Sequence, residues 1–463
     1  MQITRKLVKI QKVEKKRIPL VKILFWLYFA LLILEGALRK WVVPALSAPL
    51  LIVRDPISIW ILWEAIRTHK WPKQYSVVTG VLAVFFLGLS VIQILLDICP
   101  WFSVVYGLRS YLLTFPVAFA MSNILSKKDI EKICKAIMII SIPMTAIYFL
   151  QYTSPAASWI NLGAYEGAEQ INYVGLHVRA AGTFSFVTGS ISFQSLVAVA
   201  VIFALFNSGM VKPWLAYTSL IGVIISIPLV GARTLVFILI AEVFCVILSG
   251  FLGVSQLMRT IKLAVPVLAG MLVLNFIPVF NEASGSLATR FSNAEKTQGS
   301  TQEEVYRRLV GPYVDWFNNL NRAQPVGVGM GRGAAAITQL MVGRPSFETG
   351  EDELSRNIFE MGPACGAFFV VFRVCFASYL LILAVTCARR DRPLALLMAP
   401  TVLSEIVFGV LEQPSRQGFL IFGMAIMIAG MKSEFVRNNT DFSAHFKFSN
   451  HQRGTHLAAA HWK

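Results

Sequence analysis

Charge is scarce in this sequence. Only 14% of the 463 residues are Asp, Glu, Lys or Arg, where a soluble domain would carry about 25%. That shortage excludes a water-soluble globule. The 56% share of hydrophobic residues and a mean hydropathy of +0.63 point to a lipid environment instead. Strict alternation over about ten residues, the mark of a membrane β-barrel, is also missing. Six cysteines are scattered along the chain (Cys99, Cys134, Cys245, Cys365, Cys375, Cys387) with no CxxC pair. This pattern supports neither a zinc site nor a disulfide framework and fits small core residues of helices. No small-residue cleavage site follows the first apolar run, so no cleavable signal peptide is expected. No internal repeat of the kind found in many transporters is visible.

What the sequence has in quantity is long apolar runs. About 18 or more such residues read as a spanning helix. The expected fold is therefore an all-α polytopic membrane protein of about twelve spans. They fall near 21–38, 47–66, 75–97, 104–124, 133–152, 184–207, 213–231, 233–251, 262–280, 360–388, 393–411 and 416–431. Flanking these are a basic N-terminal segment, 1–20, and a polar tail, 432–463, read as disordered.

The net charge is +17, but its distribution argues against nucleic acid. Lysine and arginine crowd the N-terminus, the loops at 67–74 and 125–135, and Arg389, Arg390 and Arg392. The positive-inside rule places all of these, and both termini, in the cytoplasm. The long segment 281–357 holds eight basic and nine acidic residues, a net of −1, which leaves +18 for the remainder. The basic excess thus records topology and contact with anionic lipid, and 281–357 becomes a large outer, periplasmic segment between the ninth and tenth spans.

Several charges remain at the outer ends of spans. They are Glu35, Arg39 and Lys40 in "EGALRKW", Arg54 and Asp55 in "VRDP", Arg109 in "YGLRSY", Arg179 in "HVRAAGTFSF", Arg233 in "LVGARTLVFILI", and Glu405, Glu412 and Arg416 in "LSEIVFGVLEQPSRQG". An arginine at membrane depth costs about 2.5–3.5 kcal/mol. The set suits either snorkelling caps and ion pairs or one basic pocket facing outward. Guanidinium groups fork onto phosphate oxygens, so such a pocket fits a phosphate at headgroup depth.

Within the outer segment, "EEVYRRLVGPYVDWFNNL" has apolar residues at helical spacing, interrupted by Pro312. It reads as a helix at the membrane interface or packed on the bundle. "QPVGVGMGRG" is a glycine-rich turn able to aim N–H groups at an anion. "GEDELSRNIFEMGP" then crowds Glu351, Asp352, Glu353, Arg356 and Glu360 against the tenth span. As a helix it puts Glu353, Arg356 and Glu360 on one face. It suits a capped, ion-paired helix start or a carboxylate, Glu353 or Glu351, poised by Arg356 as a general base.

Together, the twelve spans, the outer segment, "GARTLVFILI", "RRL…DWFNNL…QPVGVGMG" and "EMGPACG" resemble the O-antigen ligase and Wzy-type O-antigen polymerase superfamily over about residues 100–430. The resemblance implies a metal-independent glycosyltransferase of the bacterial inner membrane, needing no cofactor and acting on an undecaprenyl-diphosphate-linked oligosaccharide. Membrane lipids and other polysaccharide-assembly proteins are its expected partners. It implies that Arg233 and Arg307 or Arg308 bind the diphosphate, joined by Arg109, Arg179 and Arg416 from the basic pocket. The spacings Arg322 to Gly333 and Arg332 to Gly343 match the Arg-x10-Gly pairs of polymerases. One departure stands out. Ligases place a histidine about nine residues before the glutamate matching Glu360, whereas this outer segment contains no histidine and has Glu351 there. His177, in an earlier outer loop, does not match by position. The departure favours a polymerase of O-antigen or exopolysaccharide over a ligase that moves finished glycan to lipid A-core or protein. An anionic-solute transporter is the reading from another class.

Overall fold

The computed structural model describes residues 20–163, 173–174, 177–207, 209–252, 278–298, 301–334, 337–338, 341 and 352–432. Its longer helices, in chain order, are α1 (Leu20–Ala37), α2 (Ser47–Leu50), α3 (Asp55–Arg67), α4 (Ser76–Leu95), α5 (Trp101–Ile124), α6 (Lys127–Thr153), α7 (Val187–Phe206), α8 (Pro213–Val230) and α9 (Arg233–Leu252). There follow α10 (Pro278–Gln298), α11 (Thr301–Leu309), α12 (Gly311–Asn319), α13 (Glu353–Met361), α14 (Pro363–Ala388), α15 (Leu394–Leu397), α16 (Ala399–Phe408) and α17 (Pro414–Gly430).

Among the described residues eight helical segments are long and apolar enough to cross a membrane. They coincide with the first, third to eighth, and tenth expected spans. The second span differs: α3 has only 13 residues, because the chain at 47–54 is spent on a short helix and a turn. The eleventh is broken into α15 and α16 at Met398, before Pro400 in the first turn of α16. The twelfth, α17, is 17 residues long. The ninth falls largely on 253–277, outside the described residues, and α10 carries helix from Pro278 well into the expected loop.

Helix ends follow local chemistry. Ser126 and Asp129 form a reciprocal capping box at the start of α6. Gly231, at φ +59°, ends α8 in the left-handed conformation, and α9 begins at Arg233. The hairpin expected there is thus as tight as the sequence requires. Pro312 interrupts the outer amphipathic pattern as expected, with α11 ending at Leu309 and α12 starting at Gly311. Tyr306, Leu309, Val314 and Phe317 on these two helices are exposed.

The bundle is built around α7, which is buried on all sides. It tolerates Ser190, Ser192 and Ser195 because small polar residues permit close helix approach in lipid. Helix α17 lies against α5 and α7, and α8 packs against α6 and α7. Helix α4, at the edge, leaves Val77, Val84, Val91 and Leu95 exposed. An apolar exterior is what a lipid-facing surface requires. One small departure from an all-helical chain is an antiparallel pairing of β1 (Tyr173–Val174) with β2 (His177–Val178).

Candidate functional site

The fourteen residues "GEDELSRNIFEMGP" resolve into a capped helix whose charges are sealed. Asp352 is the N-cap of α13, accepting from the Ser355 amide at 2.9 Å. Glu351 lies outside the described residues. Glu353, Arg356 and Glu360 share one face, as expected, and all three are buried. The sequence reading pairs Glu353 with Arg356, and the structure corrects this. Glu353 Oε1 accepts from Arg373 Nη1 at 2.8 Å, and Arg373 also donates to the Ile406 and Gly409 carbonyls at 2.6 Å each. Arg356 Nη1 lies 3.4 Å from Glu412 Oε2. Arg373 stands in α14, in a run read from the sequence as almost wholly apolar. Its lone charge there was a signal, since such a residue needs a partner inside the bundle.

Glu360 takes the glycine-rich turn. Its carboxylate accepts from the Gly331 and Gly333 amides at 3.0 and 2.8 Å and from the Tyr111 hydroxyl at 3.0 Å. The turn does aim its N–H groups at an anion, as expected, and that anion is the chain's own side chain. Gly331, at φ +80°, lies so close to Ser103 and Gly107 of α5 that a Cβ would strike backbone. Gln93 completes the clasp, donating to the Val326 and Glu360 carbonyls and accepting from the Met330 amide.

Three carboxylates and two guanidinium groups therefore share this pocket of the bundle. Burial pushes the Glu412 carboxyl well up, and the neighbouring Glu360 carboxylate pushes it further against the pull of Arg356. Burial also raises Glu353, opposed by Arg373 and Arg356. Three carboxylates thus face two guanidinium groups in an interior where burial disfavours the charged form of a carboxyl. Glu353 is 1% exposed and held by Arg373. The general-base role expected for it has no geometric support.

The arginines divide between two fates. Arg109 is held by Asp55 at 2.7 Å and lies over the Tyr106 ring at 4.1 Å. Arg416 is held by Glu405 at 3.0 Å, and Arg54 by Glu35 at 2.9 Å. For these the ion-pair reading holds. Arg179, Arg233 and Arg308 behave differently, because three segments far apart in sequence bring them to one turn. Arg179 Nε donates to the Val230 carbonyl at 3.3 Å. Arg308 Nη1 donates to Thr234 Oγ1 at 3.0 Å, with its guanidinium 5.5 Å from the Phe237 ring centre. Arg233 opens α9 between those two attachment points. Arg179, Arg233 and Arg308 are each partly accessible, and Arg307 beside them is exposed. Gly343, the second glycine of the Arg-x10-Gly pattern, lies outside the described residues.

Beside this cluster stands a pair that sequence reasoning did not join: His177 Nε2 lies 2.9 Å from Glu282 Oε1. His177 was marked only as the one outward histidine, and Glu282 only counted among the outer acids. No group of three or more potential metal ligands is assembled among the described residues. Comparison with protein-family models gives no match to this chain, and comparison with curated proteins gives none either.

Proposed function

We propose that this membrane-embedded chain is a glycan polymerase of the O-antigen or exopolysaccharide type. In this reading it moves glycan from a polyprenyl-diphosphate carrier to an acceptor sugar hydroxyl. The observation that carries the proposal is the convergence of Arg179, Arg233 and Arg308 on the α8–α9 turn. Guanidinium groups from an outer hairpin, a span start and an amphipathic outer helix are the donors a diphosphate at the lipid–water boundary requires. Arg307, one residue earlier on exposed α11, extends the same basic surface.

The chemistry follows from charge. As the anomeric carbon–oxygen bond breaks, the leaving diphosphate gains negative charge, and preorganised cations lower the barrier by meeting it. A carrier whose chain lies in the bilayer presents its diphosphate where α9 begins. The exposed apolar residues of α11 and α12, Tyr306, Leu309, Val314 and Phe317, give the outer helices an interfacial face over the carrier. The buried cluster around α13 fixes the framework on which these helices rest.

The test is the fate of lipid-linked repeat units in cells carrying Arg233→Ala or Arg308→Ala. Accumulation of single-repeat glycan on the carrier is the expected result. Long glycan left on the carrier would indicate a ligase, and lost solute uptake with normal glycans a transporter. Full elongation by both variants would remove the assignment.

A further inference from the structure

Glu282, in the second turn of α10, and His177, in β2, are 105 residues apart in sequence and hydrogen-bonded in space. The imidazole is fixed on three sides. Nδ1 lies 2.9 Å from the Tyr152 carbonyl oxygen, Nε2 lies 2.9 Å from Glu282 Oε1, and the ring stacks on Tyr152 at 4.4 Å and 17°. Each ring nitrogen thus has one oxygen partner, and the tautomer decides which nitrogen donates. Glu282 is thereby held by one oxygen, while its side chain remains 59% exposed.

The pair is joined to the arginine cluster through its neighbouring segments. Along the extended chain His177 and Arg179 flank buried Val178, so the two lie on one side. Arg179 in turn reaches Val230 at the α8–α9 turn. Helix α10, which carries Glu282, packs against α8 and sets Phe291 against Phe237, the ring beneath Arg308. An accessible carboxylate hydrogen-bonded to a stacked imidazole is therefore joined to the arginine-bearing turn through the chain at 177–179 and through α10, in contrast to buried Glu353.

We propose that Glu282 is the general base of the transfer and that His177 is its positioning residue; this rests on the donor-binding reading above. Glu282 takes the proton as the acceptor's O–H bond breaks. The freed oxygen pair forms the new bond to the anomeric carbon. The carbon–oxygen bond to the carrier breaks, and its electron pair leaves with the polyprenyl diphosphate toward Arg179, Arg233 and Arg308. Glu282 then returns its proton to water.

The experiment uses the full chain in proteoliposomes with a polyprenyl-diphosphate-linked repeat unit as donor, measuring elongation and donor binding separately. Glu282→Gln should slow elongation by about 10²–10⁴-fold, the usual contribution of a general base, with donor binding unchanged. Glu282→Asp should recover part of the rate. His177→Ala should lower kcat without raising KM for the donor, and His177→Gln, whose amide can still donate to Glu282, should restore part of it. Wild-type elongation by Glu282→Gln, alongside loss of donor binding in Arg233→Ala, would overturn the base assignment and leave the donor site standing. Loss of donor binding in Glu282→Gln would also overturn it, by making the residue a donor contact. Unchanged binding and elongation in Arg233→Ala would overturn the donor reading itself.

Discussion

Around α13, Glu353, Glu360, Glu412, Arg356 and Arg373 are each at most 3% exposed, and each has a protein partner. Around the α8–α9 turn, Arg179, Arg233 and Arg308 are partly accessible, and Arg179 and Arg308 donate to a carbonyl and a hydroxyl. The first group pairs its charges within the bundle. The second holds positive charge at an accessible surface. Buried charge in a bundle needs a partner, so a sealed, paired group serves the fold. Accessible cations are what an anionic ligand needs. The comparison separates charges sealed within the bundle from charges accessible at its surface, although both groups look alike in the sequence.

The largest effect should come from the sealed group. Arg373→Met strands Glu353 in the interior, and removing one member of a buried pair costs about 3–5 kcal/mol. Thermal unfolding in detergent should show this as a severe loss, eased when Glu353→Leu is added. A smaller loss, of about 1–3 kcal/mol for forcing a side chain into a disfavoured backbone conformation, is expected for Gly331→Ala by the same measurement. The contact with Ser103 and Gly107 adds to it. Asp352→Ala removes the N-cap of α13 and should cost about 1 kcal/mol. The smallest stability effect belongs to the open group: Arg233→Ala should shift stability by no more than about 0.5 kcal/mol, yet abolish binding of a polyprenyl diphosphate. A variant of the sealed group that lost donor binding at full stability would erase the distinction.

Much of the architecture was legible because burial in lipid imposes simple patterns. Eight spans, the tight turn at Gly231 and Arg233, and the helix break at Pro312 follow from apolar length and from glycine and proline chemistry. The site was less legible, for a definite reason. Helical spacing identified which residues share a face with Glu353, but says nothing about the helix opposite, so Arg373 on α14 was overlooked as its partner. His177 and Glu282 show the same limit, since no local period links residues in a hairpin and a helix 105 positions apart.

The sequence by itself determined that this chain belongs in a membrane and where most of its helices run, because those properties depend on composition and local spacing. Tertiary structure alone decided which charges are buried against one another and which stay accessible. Pairing is a matter of distance in space, and the bundle sets those distances by packing segments that the chain keeps far apart.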